Sequence, residues 1–249
     1  MIGFKKIRRY WYAATRHCIG EIWMLHNVCA EKNAIKSLRP YEIHPDNLEK
    51  LIITYKAKGY EFVSIEEAGN RMCSKHKCNK FVCITLDDGY KNNFTQAYPI
   101  FKKLTTPFCI YIAPALILGE VVDAEHDNNM MSINQLHELA NEPLCTLAGH
   151  TYSHVDLNTL TYQEQYDEIK KGLDWLASIT NKPIKDFSYP FGRRNDNTIQ
   201  IIKSLGVERA VLAGGGEVLN NTKPLILNIP RILVDDTYAI KSINSNTRL

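Results

Sequence analysis

The sequence lacks the features that define several protein classes. None of its hydrophobic runs approaches the roughly 18 uninterrupted apolar residues of a membrane span, and it has no low-complexity tract or internal repeat. Apolar residues make up 45% and charged residues 23% of the 249 residues, which excludes disorder, collagen and a coiled coil. The net charge is only +3, which is too small to indicate nucleic acid as a partner.

The cysteines do not suggest a disulfide framework. There are seven, an odd number, and Cys83, Cys109 and Cys145 stand inside apolar runs, which is typical of small core residues. A chain of this length does not need disulfides for stability. The segment from Cys73 to Cys78 resembles a zinc site only loosely, because no second ligand pair follows, and we interpret it as a lysine-rich surface loop.

The N-terminus is basic and aromatic but is not a secretory signal peptide. Five lysines and arginines precede the first acidic residue, Glu21, with Tyr10, Trp11 and Tyr12 among them, yet there is no apolar segment and no cleavage site. We therefore expect a cytoplasmic location, either free or at the inner face of the membrane. Residues 1–17 either contact anionic lipid head groups or form a solvated first helix whose aromatic residues pack on the fold.

Short apolar runs alternate with longer amphipathic segments along the chain. This alternation predicts an α/β fold with a mostly parallel sheet, either a barrel or an open sheet, and the length suits a single barrel domain. The predicted strands cover residues 21–28, 60–63, 80–86, 107–112, 144–148, 186–189, 209–213 and 225–234. The predicted helices cover residues 45–58, 65–72, 99–104, 133–140, 162–180 and 196–205.

Local signals mark the ends of these elements. Thr161 and Glu164 form a capping-box pattern before the longest helix, in which apolar residues then recur at helical spacing. Gly59 and Gly206 follow helices at positions that favour a left-handed residue. Because function in such folds collects at the carboxyl ends of parallel strands, the residues after each strand are the candidates for a site.

Two adjacent carboxylates, Asp87 and Asp88, follow the predicted strand 80–86. Gly89 lets the backbone bend at once, so one carboxylate can bind a cation while the other stays free. In the alternative interpretation, one aspartate caps the next helix and the other is solvated.

Two histidines, His150 and His154, follow the strand 144–148. Histidines four residues apart meet on one face of a helical turn, which suits two imidazole ligands on one metal; alternatively, they are surface or capping residues. With one aspartate they form a site of two histidines and one carboxylate. Iron oxygenases share this ligand set, but the alternation of strands and helices does not suit them.

Three further strand ends carry His26, the segment 190–192, and Arg231. Taken singly, they are typical of a core histidine, a turn and a surface arginine. Five such strand ends at one edge indicate a functional site. The triple glycine 214–216 lacks the other residues of a phosphate-binding loop, and we expect a flexible loop there.

The two motifs resemble those of the polysaccharide deacetylases of the NodB-homology group, carbohydrate esterase family 4. The family motif Thr-Phe-Asp-Asp-Gly matches residues 85–89, and His-Ser/Thr-x-x-His matches residues 150–154. The chain is most similar to the circularly permuted variant, with His26 on the first strand and Tyr-Pro-Phe-Gly at 189–192. The resemblance implies a distorted (β/α)7 TIM-like barrel at 21–249, after a basic extension at 1–20.

The resemblance also implies roles for individual residues. Asp88, His150 and His154 would bind a divalent metal, usually zinc, with cobalt or nickel as alternatives. Asp87 would be the general base and His26 the general acid, and the backbone N–H of Phe191 would hold the oxyanion. The substrate would contact the residues beside these motifs, which are Tyr90, Tyr189 and Pro190.

This sequence departs from the family at Ser188, where unpermuted members have an arginine that orients the base. We interpret Arg231, at another strand end, as its replacement. Leu86 replaces a phenylalanine, which is a mild change, and the fourth motif of the family has no evident counterpart.

The resemblance implies metal-dependent hydrolysis of an N-acetyl group on a sugar, an oligosaccharide or a polysaccharide. A cytoplasmic location would favour a lipid-linked or nucleotide-linked precursor of a cell-surface polysaccharide. The alternative is a catalytically inactive, deacetylase-like protein that binds a glycan or a partner.

Overall fold

The computed structural model describes residues 18–31, 41–74, 76, 78–121, 129–219 and 226–245. The lipid contact or solvated helix predicted for residues 1–17 lies outside this part of the chain. Within the described ranges, no helix combines the length and apolar character that crossing a bilayer requires.

Seven parallel strands close into a barrel, in the order β1-β5-β6-β7-β8-β9-β11 and back to β1. The sequence left a barrel and an open sheet as alternatives, and the pairing of β1 with both β5 and β11 decides for the barrel. The strands are β1 Cys18–Leu25, β2 Asn27–Val28, β3 Glu42–Ile43, β4 Glu61–Phe62, β5 Phe81–Leu86, β6 Phe108–Ile112, β7 Cys145–Gly149, β8 Asp186–Ser188, β9 Arg209–Gly215, β10 Val218–Leu219 and β11 Ile229–Leu233.

The four remaining strands have two residues each and lie outside the ring. β4 pairs with the start of β5, β10 runs antiparallel to the start of β1, and β2 pairs with β3 in a separate small sheet. The sequence did not predict β2 and β3 as a sheet, nor β10, because two residues are too short to show a period of alternation.

The helices lie outside the barrel and follow the strands they cover. Six of them match predicted helices within about two residues, whereas α4 and α8 were not predicted. They are α1 Pro45–Ala57, α2 Ile65–Cys73, α3 Tyr98–Lys103, α4 Pro114–Ile117, α5 Ile133–Ala140, α6 Tyr162–Thr180, α7 Asp196–Ser204 and α8 Asp236–Asn244.

The predicted helix ends are confirmed. Thr161 and Glu164 form both hydrogen bonds of the capping box that starts α6. Gly59 and Gly206 take left-handed φ values of +81° and +84° after α1 and α7. Only glycine adopts this conformation without strain, so both residues stop their helices.

The core has two layers, one inside the barrel and one between the barrel and the helices. All six residues of β5 are buried, which agrees with strands covered on both faces. Cys83, Cys109 and Tyr111 pack inside the barrel, whereas Trp23 and Phe187 pack against the helical layer.

The triple glycine is not the flexible loop that the sequence suggested. Gly214 and Gly215 are the last residues of β9, and Gly216 donates its N–H to the carbonyl of Arg231. A Cβ atom on Gly215 would lie 2.7 Å from Cβ of Pro230. Glycine is needed here because all three residues have positive φ and β11 passes close to the backbone.

Candidate active site

The carboxyl ends of the barrel strands surround a cavity of about 560 Å³, a volume typical of ligand sites. It brings together residues that lie far apart in the sequence. Eight of the ten predicted site residues line it, namely His26, Asp87, Asp88, Tyr90, His150, His154, Tyr189 and Phe191. Arg231 lies behind Asp87, and Pro190 is buried beside Phe191.

Asp87 and Asp88 leave β5 in different directions. Asp88 has a φ of +75° and Gly89 a φ of +89°, so the backbone turns immediately after the strand. The next helical segment begins at Lys91, so Tyr90, and neither aspartate, is the residue before it. The turn therefore directs Asp87 toward Arg231 and Asp88 toward the two histidines.

Asp88, His150 and His154 form one compact group. Oδ1 of Asp88 lies 3.5 Å from Nε2 of His150 and 3.4 Å from Nε2 of His154. Each residue offers a ligand atom, and these atoms lie within 4.8 Å of one another. No other group of three or more His, Cys, Asp or Glu residues in the described ranges has this geometry.

One ring nitrogen of His150 is hydrogen-bonded to the backbone, and the other is available as a ligand. Nδ1 of His150 lies 2.7 Å from the backbone carbonyl of Ser188, and a carbonyl can only accept. Nδ1 therefore carries the proton, which leaves the lone pair of Nε2 directed toward Asp88 and His154. Two imidazoles and one carboxylate are a donor set that suits zinc and similar divalent ions.

The histidines do not meet on a helical turn, as their spacing suggested. Residues 150–156 form neither helix nor strand, and Thr151 and His154 have φ values of +60° and +57°. These left-handed residues fold the loop back, so that the two rings lie 4.9 Å apart between centroids. The inferred proximity is correct, but the helical reason for it is wrong.

Arg231 holds Asp87 with two short hydrogen bonds. They are 2.7 Å and 2.6 Å long and engage both carboxylate oxygens. The Arg231 side chain is fully buried, so the alternative of a surface arginine is wrong. Ser188, Thr85 and the carbonyl of Leu212 bind its remaining N–H groups.

This ion pair sets the protonation state of Asp87. Burial raises the pKa of Asp87, but the positive charge of Arg231 and its hydrogen bonds outweigh burial and hold the pKa below its usual range. Asp87 is therefore ionised at neutral pH, with its carboxylate facing the cavity beside Asp88.

His26 lies in the wall of the cavity, directly after β1. Its backbone carbonyl accepts a 2.7 Å hydrogen bond from Nδ2 of the buried Asn93, and its ring packs on Tyr41 at 4.9 Å. Nδ1 is buried and has no hydrogen-bond partner among the described residues. Burial lowers the pKa of His26 and outweighs the nearby carboxylates of Asp88 and Asp87, which raise it.

The segment 189–192 divides between the core and the cavity. Tyr189 is fully buried, and its hydroxyl donates to the carbonyl of Leu227. Phe191 has a φ of +57° and a side chain that is 52% exposed. Its ring stands 4.9 Å from that of His154, at the rim of the cavity.

Sequence reasoning missed Asn93. It belongs to a single π-helical turn, Asn93–Ala97, a feature often found at functional sites. Its side chain also contacts Oδ1 of Asn92, whose own amide donates to Asn27. No sequence signal could have revealed it, because the link to His26 spans 67 residues.

Two relatives of known sequence cover most of the chain. YxkH of Bacillus subtilis (strain 168) is 26% identical over 196 residues, which is 78% of this chain and 64% of that protein. The poly-β-1,6-N-acetyl-D-glucosamine N-deacetylase of Staphylococcus aureus (strain MSSA476) is 25% identical over 240 residues, which is 90% of this chain and 78% of that protein. The chain thus spans less than two thirds of the length of YxkH.

Two solved structures share the fold. The Streptococcus pyogenes deacetylase PplD in complex with acetate has a TM-score of 0.76 at 23% identity, covering 90% of this chain and 97% of that one. IcaB from Ammonifex degensii has a TM-score of 0.77 at 20% identity, covering 92% and 97%. The architecture is therefore the distorted barrel that the resemblance implied.

The sequence pattern of the polysaccharide deacetylase family matches residues 74–210. The match covers more than half of the chain and includes both β5 and β7 with the motifs that follow them. Asp87, Asp88, His150 and His154 thus stand in the matched region, whereas His26 and Arg231 lie outside it. The chain belongs to the polysaccharide deacetylase family.

Proposed function

We propose that the protein is a metal-dependent hydrolase that removes N-acetyl groups from a saccharide. One observation carries the proposal. The ligand atoms of Asp88, His150 and His154 converge within 4.8 Å, next to an ionised Asp87 on the floor of a cavity that is open to a ligand.

A divalent ion at this group, most simply zinc, would be held by Asp88 and by Nε2 of both histidines; cobalt and nickel accept the same donors. When bound, such an ion lowers the pKa of water toward about 7 and polarises a carbonyl. The chain itself supplies the proton transfers and the positioning of the acetyl group.

Asp87 is the proposed general base. Its carboxylate is held ionised by Arg231, so it can take a proton from the attacking water. Arg231 also fixes both carboxylate oxygens, which orients the base. This supports the interpretation that Arg231, from β11, replaces the family arginine at Ser188.

His26 is the proposed general acid, since an amide nitrogen leaves only after it is protonated. It enters the cavity directly after β1, whose last residue, Leu25, pairs with Leu86 on β5, the residue before Asp87. The backbone N–H of Phe191 is the proposed donor to the oxyanion, and a single such donor is typically worth about 2.7–4 kcal/mol.

The proposed substrate is an N-acetylglucosamine saccharide, either a polymer or a lipid-linked or nucleotide-linked precursor. The name of the Staphylococcus aureus relative supports this substrate class. The exposed rings of Tyr41 and Phe191 at the rim of the cavity offer apolar faces to a sugar. Tyr90, which is buried at the cavity wall, is a further proposed contact.

The proposal includes the circularly permuted form of the family. It is supported by the place of His26 after β1 and of Arg231 on β11, since both stand outside the matched residues 74–210. The closure of the barrel between these two strands makes their chain ends neighbours.

The first experiment is metal analysis of the purified full-length protein beside His154→Ala. We expect about one zinc per wild-type chain and a loss of most of it in the variant, because the group loses one of its three ligands. Gln163→Ala, an exposed change on α6, is the control and should keep the metal.

The second experiment measures acetate release from β-1,6-linked and β-1,4-linked N-acetylglucosamine oligomers. Turnover by the wild type, and none by His154→Ala, supports the deacetylase. Binding of these oligomers by a zinc-loaded wild type without acetate release would contradict it in favour of an inactive glycan-binding protein.

A further inference from the structure

The loop between the two histidines carries backbone strain that something must offset. Thr151 and His154 have φ values of +60° and +57°, a left-handed conformation that is strained for residues other than glycine. Such conformations persist only where the surroundings enforce them. The loop makes no helical or strand hydrogen bonds of its own, so its shape depends on the elements packed against it.

Helix α6 contacts this loop through Glu168. A single carboxylate oxygen, Oε1, accepts the backbone N–H of Tyr152 at 3.0 Å, the N–H of Ser153 at 2.5 Å and the Ser153 hydroxyl at 2.7 Å. Glu168 thus binds two successive N–H groups between His150 and His154.

Gly172, one turn further along α6, brings the loop against the helix. A Cβ atom at this position would lie 2.6 Å from the carbonyl oxygen of Thr151, so any side chain would push the loop away. Because residues i and i+4 share one helix face, Gly172 and Glu168 face the same segment. Together they hold residues 151–153 against α6.

We propose that Glu168 is a positioning residue for the metal site, acting through the backbone of residues 152–153 to hold the rings of His150 and His154 in ligating geometry. This inference rests on the proposed metal-dependent function. Glu168 lies on α6, outside both motifs.

The test measures zinc affinity by competition with a chromophoric chelator, for the wild type, Glu168→Ala, Glu168→Asp and Glu168→Gln. Changes to groups that support metal ligands typically cost 10–100-fold in affinity, and we expect a loss of about 10-fold or more for alanine. Aspartate keeps the charge but shortens the reach, so its loss should be smaller. Glutamine keeps Oε1 as an acceptor and should recover most of the affinity.

Glu164→Ala is the matched control. Glu164 lies on the same helix, one turn earlier, and accepts the N–H and hydroxyl of Thr161, away from the histidine loop. Both alanine variants should lower the melting temperature, but only the change at Glu168 should weaken zinc binding. The visible absorption of the cobalt-loaded protein should shift in Glu168→Ala and stay unchanged in Glu164→Ala.

The outcomes separate the two proposals. If the wild type binds no zinc, the proposed function fails and this inference fails with it. If the wild type binds zinc and all Glu168 variants bind it equally well, only the inference is wrong. Equal weakening by Glu164→Ala would also overturn it, because the effect would then be a general loosening of α6. If Glu168→Ala does not fold, the aspartate variant decides.

Discussion

The adjacent residues Asp87 and Asp88 have different surroundings. Asp87 is paired with Arg231 on both oxygens, whereas Asp88 faces the two histidines. The sequence indicated that one carboxylate would bind a cation and the other would stay free. It could not show that the guanidinium group of Arg231 pairs with Asp87, because the two residues are 144 positions apart in the chain.

The buried Asp87–Arg231 ion pair should contribute to the free energy of unfolding. Replacing Arg231 with methionine leaves the Asp87 charge buried and unpaired, and breaking a buried pair in this way typically costs about 3–5 kcal/mol. The double variant Arg231→Met/Asp87→Asn should recover much of this loss, since it buries no net charge. Urea unfolding of both variants and of Asp87→Asn gives the three free energies of unfolding. Equal stability of the single and double Arg231 variants would contradict the account.

The proposed role of His26 as general acid predicts how kcat/KM depends on pH. Burial lowers its pKa from the usual 6.5, and a bound divalent cation would lower it further. A general acid works only while it is protonated, so kcat/KM should fall as the pH rises through a value below 6.5. In His26→Gln this decline should be absent and the residual rate low. A wild-type decline only well above pH 7 would mean that another group donates the proton.

At the scale of helices and strands, the sequence predicted the ends of elements correctly where a local hydrogen bond or a glycine determines them. The capping box of Thr161 starts α6 at the predicted residue, and Gly59 ends α1 as expected. The His150–His154 loop is the contrasting case, because its shape depends on Glu168 and Gly172 in a neighbouring helix. A spacing of four predicted a helical turn, and tertiary contacts replaced it with a left-handed loop.

The close contact between β1 and β5 at Gly20 should not tolerate a side chain. Gly20 pairs with Phe81, and a Cβ atom on Gly20 would lie 2.5 Å from the Phe81 carbonyl oxygen and 2.9 Å from its ring. Gly20→Ala should therefore destabilise the fold by about 1–3 kcal/mol, as overpacked cores do. The measurement is the urea midpoint of the variant against the wild type.

The zinc content of Gly20→Ala is its internal control. Gly20 precedes His26 by six residues, which is about 20 Å along a strand, so the metal site should be unaffected. An unchanged urea midpoint would show that the two strands can separate at this point without cost.

The whole molecule depends on the closure of the barrel. Strand β1 pairs with β5 on one side and with β11 on the other, which brings the first and last strands of the described chain together. Without that closure, His26 and Arg231 would lie on opposite edges of an open sheet. Closure places both beside the aspartates of β5, and the site is complete only then.

The sequence by itself determined the alternation of strands and helices, the helix caps, and the residue types that follow the strands, because these depend on local periodicity and hydrogen bonds. It also determined that one aspartate and two histidines could form a metal site. Only the tertiary structure decided between a barrel and an open sheet, paired Arg231 with Asp87, and placed Glu168 and Asn93 behind the site. These contacts join residues far apart in the chain, and packing in three dimensions, not local periodicity, selects them.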